Sequence, residues 1–498
     1  MAYLDAILSA LDPFTLGINF IGVMVGMIVG ALPGLGSVVA ITICLPFTFG
    51  MKSVAAIAML LGVYCGSVCG GSISAVLINT PGTPQSAATA FDGFPMAQQG
   101  KGGKAIGWAL AASIFGGTFS CVILALAAPQ IARFALRFGP LETFALILMG
   151  LTCISSVSAG NQFKGLSMGI FGLLLACVGM SPFSSESRFT FGVFELNNGI
   201  DLVAVIVGVF ALAEVLDRVE RMLREKNECN AETCVIELPK ISEWKGRLLG
   251  LIKSSVIGTF VGILPGIGAA TAAFLAYGEA KRSSPRRDNL GKGEPDGLIA
   301  AESSNNAVTG GAMVPTLALG IPGDPVTAIM LATLTIHGIT PGVRLMDENQ
   351  AMVFSIFAVL AVANILMLPS CYITTKMFGL LLRIPEALLM GFITVLCILG
   401  SYGSRGNLFD IVVTVVAGVS AYFLRRLGFP APPLVIGFVL GQQFEMSIGQ
   451  MDMFRGDMTW IEYLFSSPIA LVLFASVALL LIMPQVSAYR SRKAARTA

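Results

Sequence analysis

The chain has 498 residues, 55% of them hydrophobic and 12% charged, with a mean hydropathy of +0.82. No soluble core absorbs that much apolar surface, so the composition excludes a soluble globular domain and points to an all-α, polytopic membrane protein. The balance of 31 basic against 29 acidic residues gives no reason to expect a nucleic-acid partner, and continuous apolar runs in place of alternating ones exclude a β-barrel.

A crossing needs about 20 apolar residues, so roughly ten to twelve spans fit. No cleavable leader is expected, because Asp5 and Asp12 stand where basic residues would. The first apolar run, 17–50, is interrupted by Gly30-Ala31-Leu32-Pro33-Gly34-Leu35-Gly36. A second, from about 55 to 98, is broken at Asn79-Thr80-Pro81-Gly82-Thr83-Pro84; spans near 105–128, 142–158, 164–181 and 200–217 complete a first unit at 1–217. Arg218, Arg221, Arg224 and Lys226 open a linker at 218–247. The second unit, 248–485, starts with Gly262-Ile263-Leu264-Pro265-Gly266-Ile267-Gly268, followed by a joint holding Lys281, Arg282, Arg286, Arg287 and Lys292. A span from Leu298 to about Thr335 is interrupted at Gly320-Ile321-Pro322-Gly323-Asp324-Pro325, and further spans fall near 352–372, 385–401, 407–424, 431–446 and 460–483. A basic tail, 486–498, carries Arg490, Arg492, Lys493 and Arg496.

Cytoplasmic loops collect Lys and Arg, which places the linker, the second joint and the tail, hence the C-terminus, in the cytoplasm. The segment from Leu248 to Tyr277 then starts and finishes on one side. A re-entrant hairpin turning at its Pro-Gly break satisfies that demand, since proline and paired glycines cannot continue a helix. Five crossings separate the two hairpins, so the second enters from the opposite face, as in inverted-repeat transporters. Arg133 and Arg137 lie outside on this count.

The halves also match in order. Pro33 corresponds to Pro265, Gly70-Gly71 to Gly310-Gly311, and Pro81-Gly82 to Pro322-Gly323, which internal duplication explains. Unwound backbone at membrane depth survives only against protein or a water-filled cavity. Four such breaks therefore mark a polar site, where restarting helices aim N–H groups at an anion and stopping ends offer carbonyls to a cation. No Lys or Arg lies within the broken motifs. Helix termini supply only about 0.3–2 kcal/mol each, so a carboxylate needs a coupling ion, Na⁺ or H⁺, to offset desolvation. Candidate substrate contacts are Pro33, Gly34, Leu35, Gly36 and Ser37, then Asn79, Thr80, Pro81, Gly82 and Thr83, then Pro265, Gly266, Ile267 and Gly268 with Pro322 and Gly323. Candidate cation ligands are Ser72, Asn79, Glu302, Ser303, Asn305, Asn306 and Asp324. Asn79→Ala and Asp324→Asn are expected to lower uptake while leaving membrane insertion intact. No transition metal or other cofactor is expected.

Plainer roles stand beside these. Asp324 can cap the helix after its break, Glu302 can be the solvated start of a span, and Asp92 can belong to a turn. His337, the single histidine, can be interfacial; Glu214 and Asp217, beside the basic cluster, can be ordinary interfacial charges, and Glu142 and Asp410 span-end residues. The cysteines, such as Cys65, Cys69 and Cys177, read as small apolar residues. Gly22, Gly26 and Gly30, at i, i+4 and i+8, form a face for close helix contact.

The paired Leu-Pro-Gly-(Leu/Ile)-Gly segments, with Gly70-Gly71-Ser72-Ile73-Ser74-Ala75-Val76-Leu77-Ile78-Asn79-Thr80-Pro81-Gly82 and Gly320-Ile321-Pro322-Gly323-Asp324-Pro325, resemble the large membrane subunit of tripartite tricarboxylate transporters, the TctA type, over about residues 15 to 485. The resemblance implies a permease of the bacterial inner membrane for citrate or another carboxylate. It also implies an ion gradient as driving force, a smaller membrane subunit and a periplasmic solute-binding protein as partners. The absence of an ATP-binding motif agrees with a secondary carrier. An elevator motion is favoured by analogy with other paired-hairpin carriers, and an oligomer is possible. The alternative is an uncoupled carboxylate facilitator or anion channel on the same site. An intramembrane enzyme lacks a nucleophile with a base.

Overall fold

A computed structural model describes residues 7–157, 162–183, 186–224, 235–266, 268–342 and 345–497. The first unit contains α1 (Pro13–Ala31), α2 (Gly36–Cys44) and α3 (Ser53–Ile78). Short α4 (Ala90–Met96) leads through a widened turn into α5 (Gly102–Ala135), then α6 (Pro140–Val157) and α7 (Gln162–Ala176) follow. A two-stranded antiparallel ribbon, Gly179–Met180 with Ser187–Arg188, precedes α8 (Leu202–Ile206), which continues through a π turn into α9 (Ala213–Arg224). The second unit has α10 (Leu248–Ile263), α11 (Gly268–Ser283), α12 (Pro295–Leu319), α13 (Pro325–Ile336), short α14 (Leu345–Glu348) and α15 (Gln350–Leu381). It closes with α16 (Glu386–Arg405), α17 (Leu408–Arg426), α18 (Ala431–Arg455), α19 (Trp460–Phe465) and α20 (Pro468–Thr497). Among the described residues, six helical stretches are long and apolar enough to cross a membrane, including α1 and α3, and six shorter apolar ones accompany them. This is an all-α, multi-pass membrane architecture.

Both Pro-Gly segments make the same turn. Leu32 and Leu264 leave their helices in extended conformation (ψ 122 and 111), and helices restart at Gly36 and Gly268. Gly34 and Gly36 have φ of 80 and 72, Gly266 and Gly268 of 87 and 76. Only glycine adopts that region without a Cβ clash, so the duplicated motif is a duplicated turn. The second breaks agree too: α3 ends on left-handed Asn79 (φ 53) and α12 on left-handed Gly320 (φ 71). Ile267 lies outside the described residues. At 19 residues α1 is itself long enough to cross, so the arms of the first turn are unequal, a full-length helix followed by nine-residue α2.

Glycine seams bring the helices together. A Cβ at Gly22, Gly26 or Gly30 of α1 would overlap the carbonyls of Met59, Val63 or Ser67 of α3; one at Gly66 or Gly70 would overlap those of Val23 or Met27. The face anticipated from the i, i+4 spacing is therefore half of a reciprocal seam. In the second unit Gly258 and Gly311 do the same for α10 against α12. Contacts then cross between units. α5 packs on α12, with Gly116 against the Ser303 carbonyl, and α15 packs on α3.

Several sequence expectations change. The last crossing starts at Pro468, not 460, because a capping box between Thr459 and Glu462 opens a separate short helix, α19, that is capped at Ser466, and proline is favoured in the first turn of the next. The described part of the linker is docked: Glu237 N–H donates to the Gly103 carbonyl at 3.1 Å, and Trp244 meets Trp108 at 4.8 Å between ring centroids. Lys226 falls outside the described residues. Asp92 is not in a turn but on α4, fully buried. One of its oxygens accepts from the N–H groups of Gly291, Gly293 and Glu294 at 2.8–2.9 Å, the other from the Tyr277 hydroxyl at 2.9 Å. Asp92→Ala strips four donors of one acceptor and is expected to cost about 3 kcal/mol, read as a lower Tm of the purified protein.

Candidate functional site

Each Pro-Gly turn meets the helix break of its own unit. Gly82 lies so close to the Gly30 carbonyl that a Cβ would overlap it, its N–H donates to the Gly71 carbonyl at 3.3 Å, and a Cβ added at Gly36 would come to 4.0 Å from the Pro84 ring. In the second unit the Gly266 N–H donates to the Gly323 carbonyl at 2.7 Å. The units also interlock. α11, the outgoing arm of the second turn, packs on Pro84–Ser86 just beyond the first break, and α2, the outgoing arm of the first, packs on α13 just beyond the second. The four interruptions are thus one structural system.

The two breaks differ in exposure. Asn79 and Thr80 are exposed, as are Gly34 and Pro84, whereas Gly320 to Asp324 are buried. Leu35, Ser37, Thr83 and Pro265 are buried, and Pro33, Gly36, Pro81, Gly266 and Gly268 partly so. The Ser37 hydroxyl has no hydrogen-bond partner among the described residues, while Thr83 pairs with Ser86 at 3.1 Å.

Asp324 performs the plainer role suggested for it and one more. Its Oδ1 accepts the Thr327 N–H at 2.7 Å, capping α13, and its Oδ2 accepts the hydroxyl of buried Tyr64 from the middle of α3 at 2.5 Å. Ser72 donates to the Cys69 carbonyl at 2.6 Å within its own helix.

Glu302 is not a solvated span start. Glu302, Ser303, Ser304, Asn305 and Asn306 are all fully buried on one turn of α12. The carboxylate accepts hydroxyls from Thr89, past the first break, and from Ser113 of α5 at 2.9 Å. Asn306 donates to Ser113 Oγ at 2.9 Å and to Asn305 Oδ1 at 2.6 Å, and Asn305 reaches the Gln85 carbonyl at 3.4 Å. Ser303 Oγ, Ser304 Oγ and Asn306 Oδ1 have no partner among the described residues, and no Lys or Arg pairs with Glu302 there. Buried orphans cost about 1–3 kcal/mol each, so three beside an unpaired carboxylate on one turn favour a bound cation, proton or water. Thr89 and Ser113 escaped the sequence reading because only the fold brings them to α12.

The expectation that no Lys or Arg approaches the breaks also changes. Arg218, from α9, donates through Nη2 to the Pro33 carbonyl and lies against Gly34. Glu214 is more than an ordinary interfacial charge, holding Arg425 at 2.9 Å. Asp410 is fully buried and paired with Arg405 at 2.8 Å; Glu142 accepts the Gly139 N–H at 2.7 Å. His337 is partly buried, with Nε2 unpartnered among the described residues. A cavity of about 220 Å³ opens away from the turns, among Arg247, Lys253, Glu279 and Asp296. Its charges are already paired: Arg247 with Asp296 and Lys253 with Glu279.

The tripartite tricarboxylate transporter TctA family model matches residues 16–436. A protein of Agrobacterium vitis described as "Uncharacterized 52.8 kDa protein in TAR-I ttuC' 3'region" is 36% identical over 493 residues, which cover 97% of this chain and 96% of that one. A second, "Uncharacterized protein in TAR-II ttuC' 3'region" of the same organism, is 32% identical over 241 residues, 47% of this chain and 97% of its own. No solved structure matches.

Proposed function

From the premise that the chain belongs to the tripartite tricarboxylate transporter TctA family, and is thus a transporter component, we propose that it is a secondary active permease importing citrate-like tricarboxylates or related carboxylates by symport with Na⁺ or H⁺. In this proposal it works in the bacterial inner membrane with its C-terminus cytoplasmic. A periplasmic solute-binding protein delivers substrate, and the smaller membrane subunit completes the assembly. The carrying observation is the interlock of two Pro-Gly turns and two helix breaks around the buried Glu302–Asn306 turn, whose unpartnered oxygens suit a cation. Substrate binds beside the exposed side of the first break, where Asn79 and Thr80 are open, and the ion binds at α12. Because Gln85 and Thr89 join the first break to α12, an ion on Glu302 alters the backbone that meets substrate. The two turns move together in an elevator step, since each outgoing arm is packed on the other unit.

The test is uptake of radiolabelled citrate into proteoliposomes containing this chain, its small subunit and a matching binding protein. A Na⁺ gradient, a pH gradient and no gradient are compared. Accumulation under one gradient supports coupled import and identifies the ion. Equilibration without accumulation supports the uncoupled facilitator or channel instead.

A further inference from the structure

We infer that Arg218 is the fixed cation that receives a substrate carboxylate at the first Pro-Gly turn, with Glu386 as its resident competitor; this rests on the carboxylate-transport proposal above. The guanidinium side chain is 11% exposed. It donates through Nη2 to the Pro33 carbonyl, while its buried Nε has no hydrogen-bond partner among the described residues. The carboxylates beside it stand off, Glu214 at 3.8 Å from Nε and Glu386 at 3.7 Å from Nη1. Glu214 is committed to Arg425 at 2.9 Å, whereas Glu386 is 57% exposed and free to swing away.

A guanidinium presents five N–H groups in a planar fork matched to a carboxylate, and a bidentate pair is among the strongest polar contacts available. Among the described residues most of that fork is unused. Gly34 is exposed and carries φ 80, and a Cβ there would press on Nη2, so this glycine both permits the turn and leaves the guanidinium room. One turn on is the buried Ser37 hydroxyl, without a partner among the described residues, and Gly36 between them faces Pro84 of the first break, whose ring a Cβ at Gly36 would meet at 4.0 Å. The second turn is closed differently, by Gly266 on Gly323, so anion recognition falls to the first. A substrate carboxylate displaces Glu386 and pairs with the fork.

The test compares KM and Vmax for citrate and for a monocarboxylate in the complete reconstituted transporter. Arg218→Lys keeps the charge and loses the fork; it is expected to raise the citrate KM about tenfold, and Arg218→Gln about a hundredfold, with Vmax changed less. Glu386→Gln removes the competitor and is expected to lower the citrate KM about threefold. A purely structural latch on Pro33 predicts otherwise: Vmax falls alike for both substrates, KM stays constant, and Glu386→Gln brings no gain. That pattern overturns the inference while leaving carboxylate transport standing. Should Arg218→Gln fail to insert, Arg218→Lys and Glu386→Gln decide. A wild-type transporter that takes up no carboxylate refutes the transport proposal and this inference with it.

Discussion

Glu302→Gln is expected to abolish gradient-driven accumulation, lowering uptake about a hundredfold or more, while the amount of inserted protein and its Tm stay at wild-type levels. Glu302 is fully buried and meets only hydroxyl and amide groups, with no Lys or Arg paired to it among the described residues. An ionised carboxylate so placed costs several kcal/mol unless a proton or cation joins it. The glutamine amide keeps the shape, and the Thr89 and Ser113 hydroxyls can turn to accept from it. Removing an uncompensated buried charge does not destabilise the fold. What disappears is the group that binds the ion. Downhill exchange of citrate across equal ion concentrations should therefore outlast accumulation in this variant. Wild-type accumulation by Glu302→Gln would take the carboxylate out of coupling.

The features legible in the sequence are those whose causes are local. Pro33, Gly34 and Gly36 dictate a turn wherever they occur, because proline lacks the donor and the glycines take positive φ. Their repetition at Pro265, Gly266 and Gly268 announced a second turn for the same reason. The spacing of Gly22, Gly26 and Gly30 announced a contact face through helical period alone. Pairings between distant residues were not legible. Arg218 reaches Pro33 across 185 positions and Thr89 reaches Glu302 across 213. No local period distinguishes Arg218 from Arg221, which pairs with Asp217 one turn back on its own helix. Glu302 stayed open between two readings for a related reason: a polar run of Glu-Ser-Ser-Asn-Asn serves equally as a solvated helix start and as an interior cation site, and only the packing of α5 and α10 on both sides shows it to be interior. The error at the last crossing came from hydropathy, which runs smoothly through Ser466-Ser467 although a proline restarts the helix there.

Gly66→Leu is expected to be strongly damaging to the bundle. Ordinary overpacking costs about 1–3 kcal/mol, because side chains shift to make room. At Gly66 the obstacle is the backbone carbonyl of Val23, and the reciprocal Gly26 faces the carbonyl of Val63, so no rotamer change relieves the overlap. α1 and α3 must separate along a seam that also includes Gly22, Gly30, Gly62 and Gly70. In a bilayer, where apolar surface gains little by leaving lipid, close backbone approach is most of what holds two helices together. Full-length protein recovered as a monodisperse peak in detergent should fall at least about tenfold, with Gly66→Ala intermediate. Gly17→Leu, on the facing helix α1 where a Cβ would meet nothing within 4 Å, should leave recovery unchanged. It thus separates loss of the seam from a general intolerance of larger side chains in this helix pair. The consequence reaches the site as well. Gly82 rests on the Gly30 carbonyl at the end of this seam, so any Gly66→Leu protein that does insert carries the first turn displaced from the first break. Its citrate uptake should fall further than its abundance. Uptake per inserted molecule equal to wild type would show that the contact serves assembly alone and that the turn and the break keep their alignment without it.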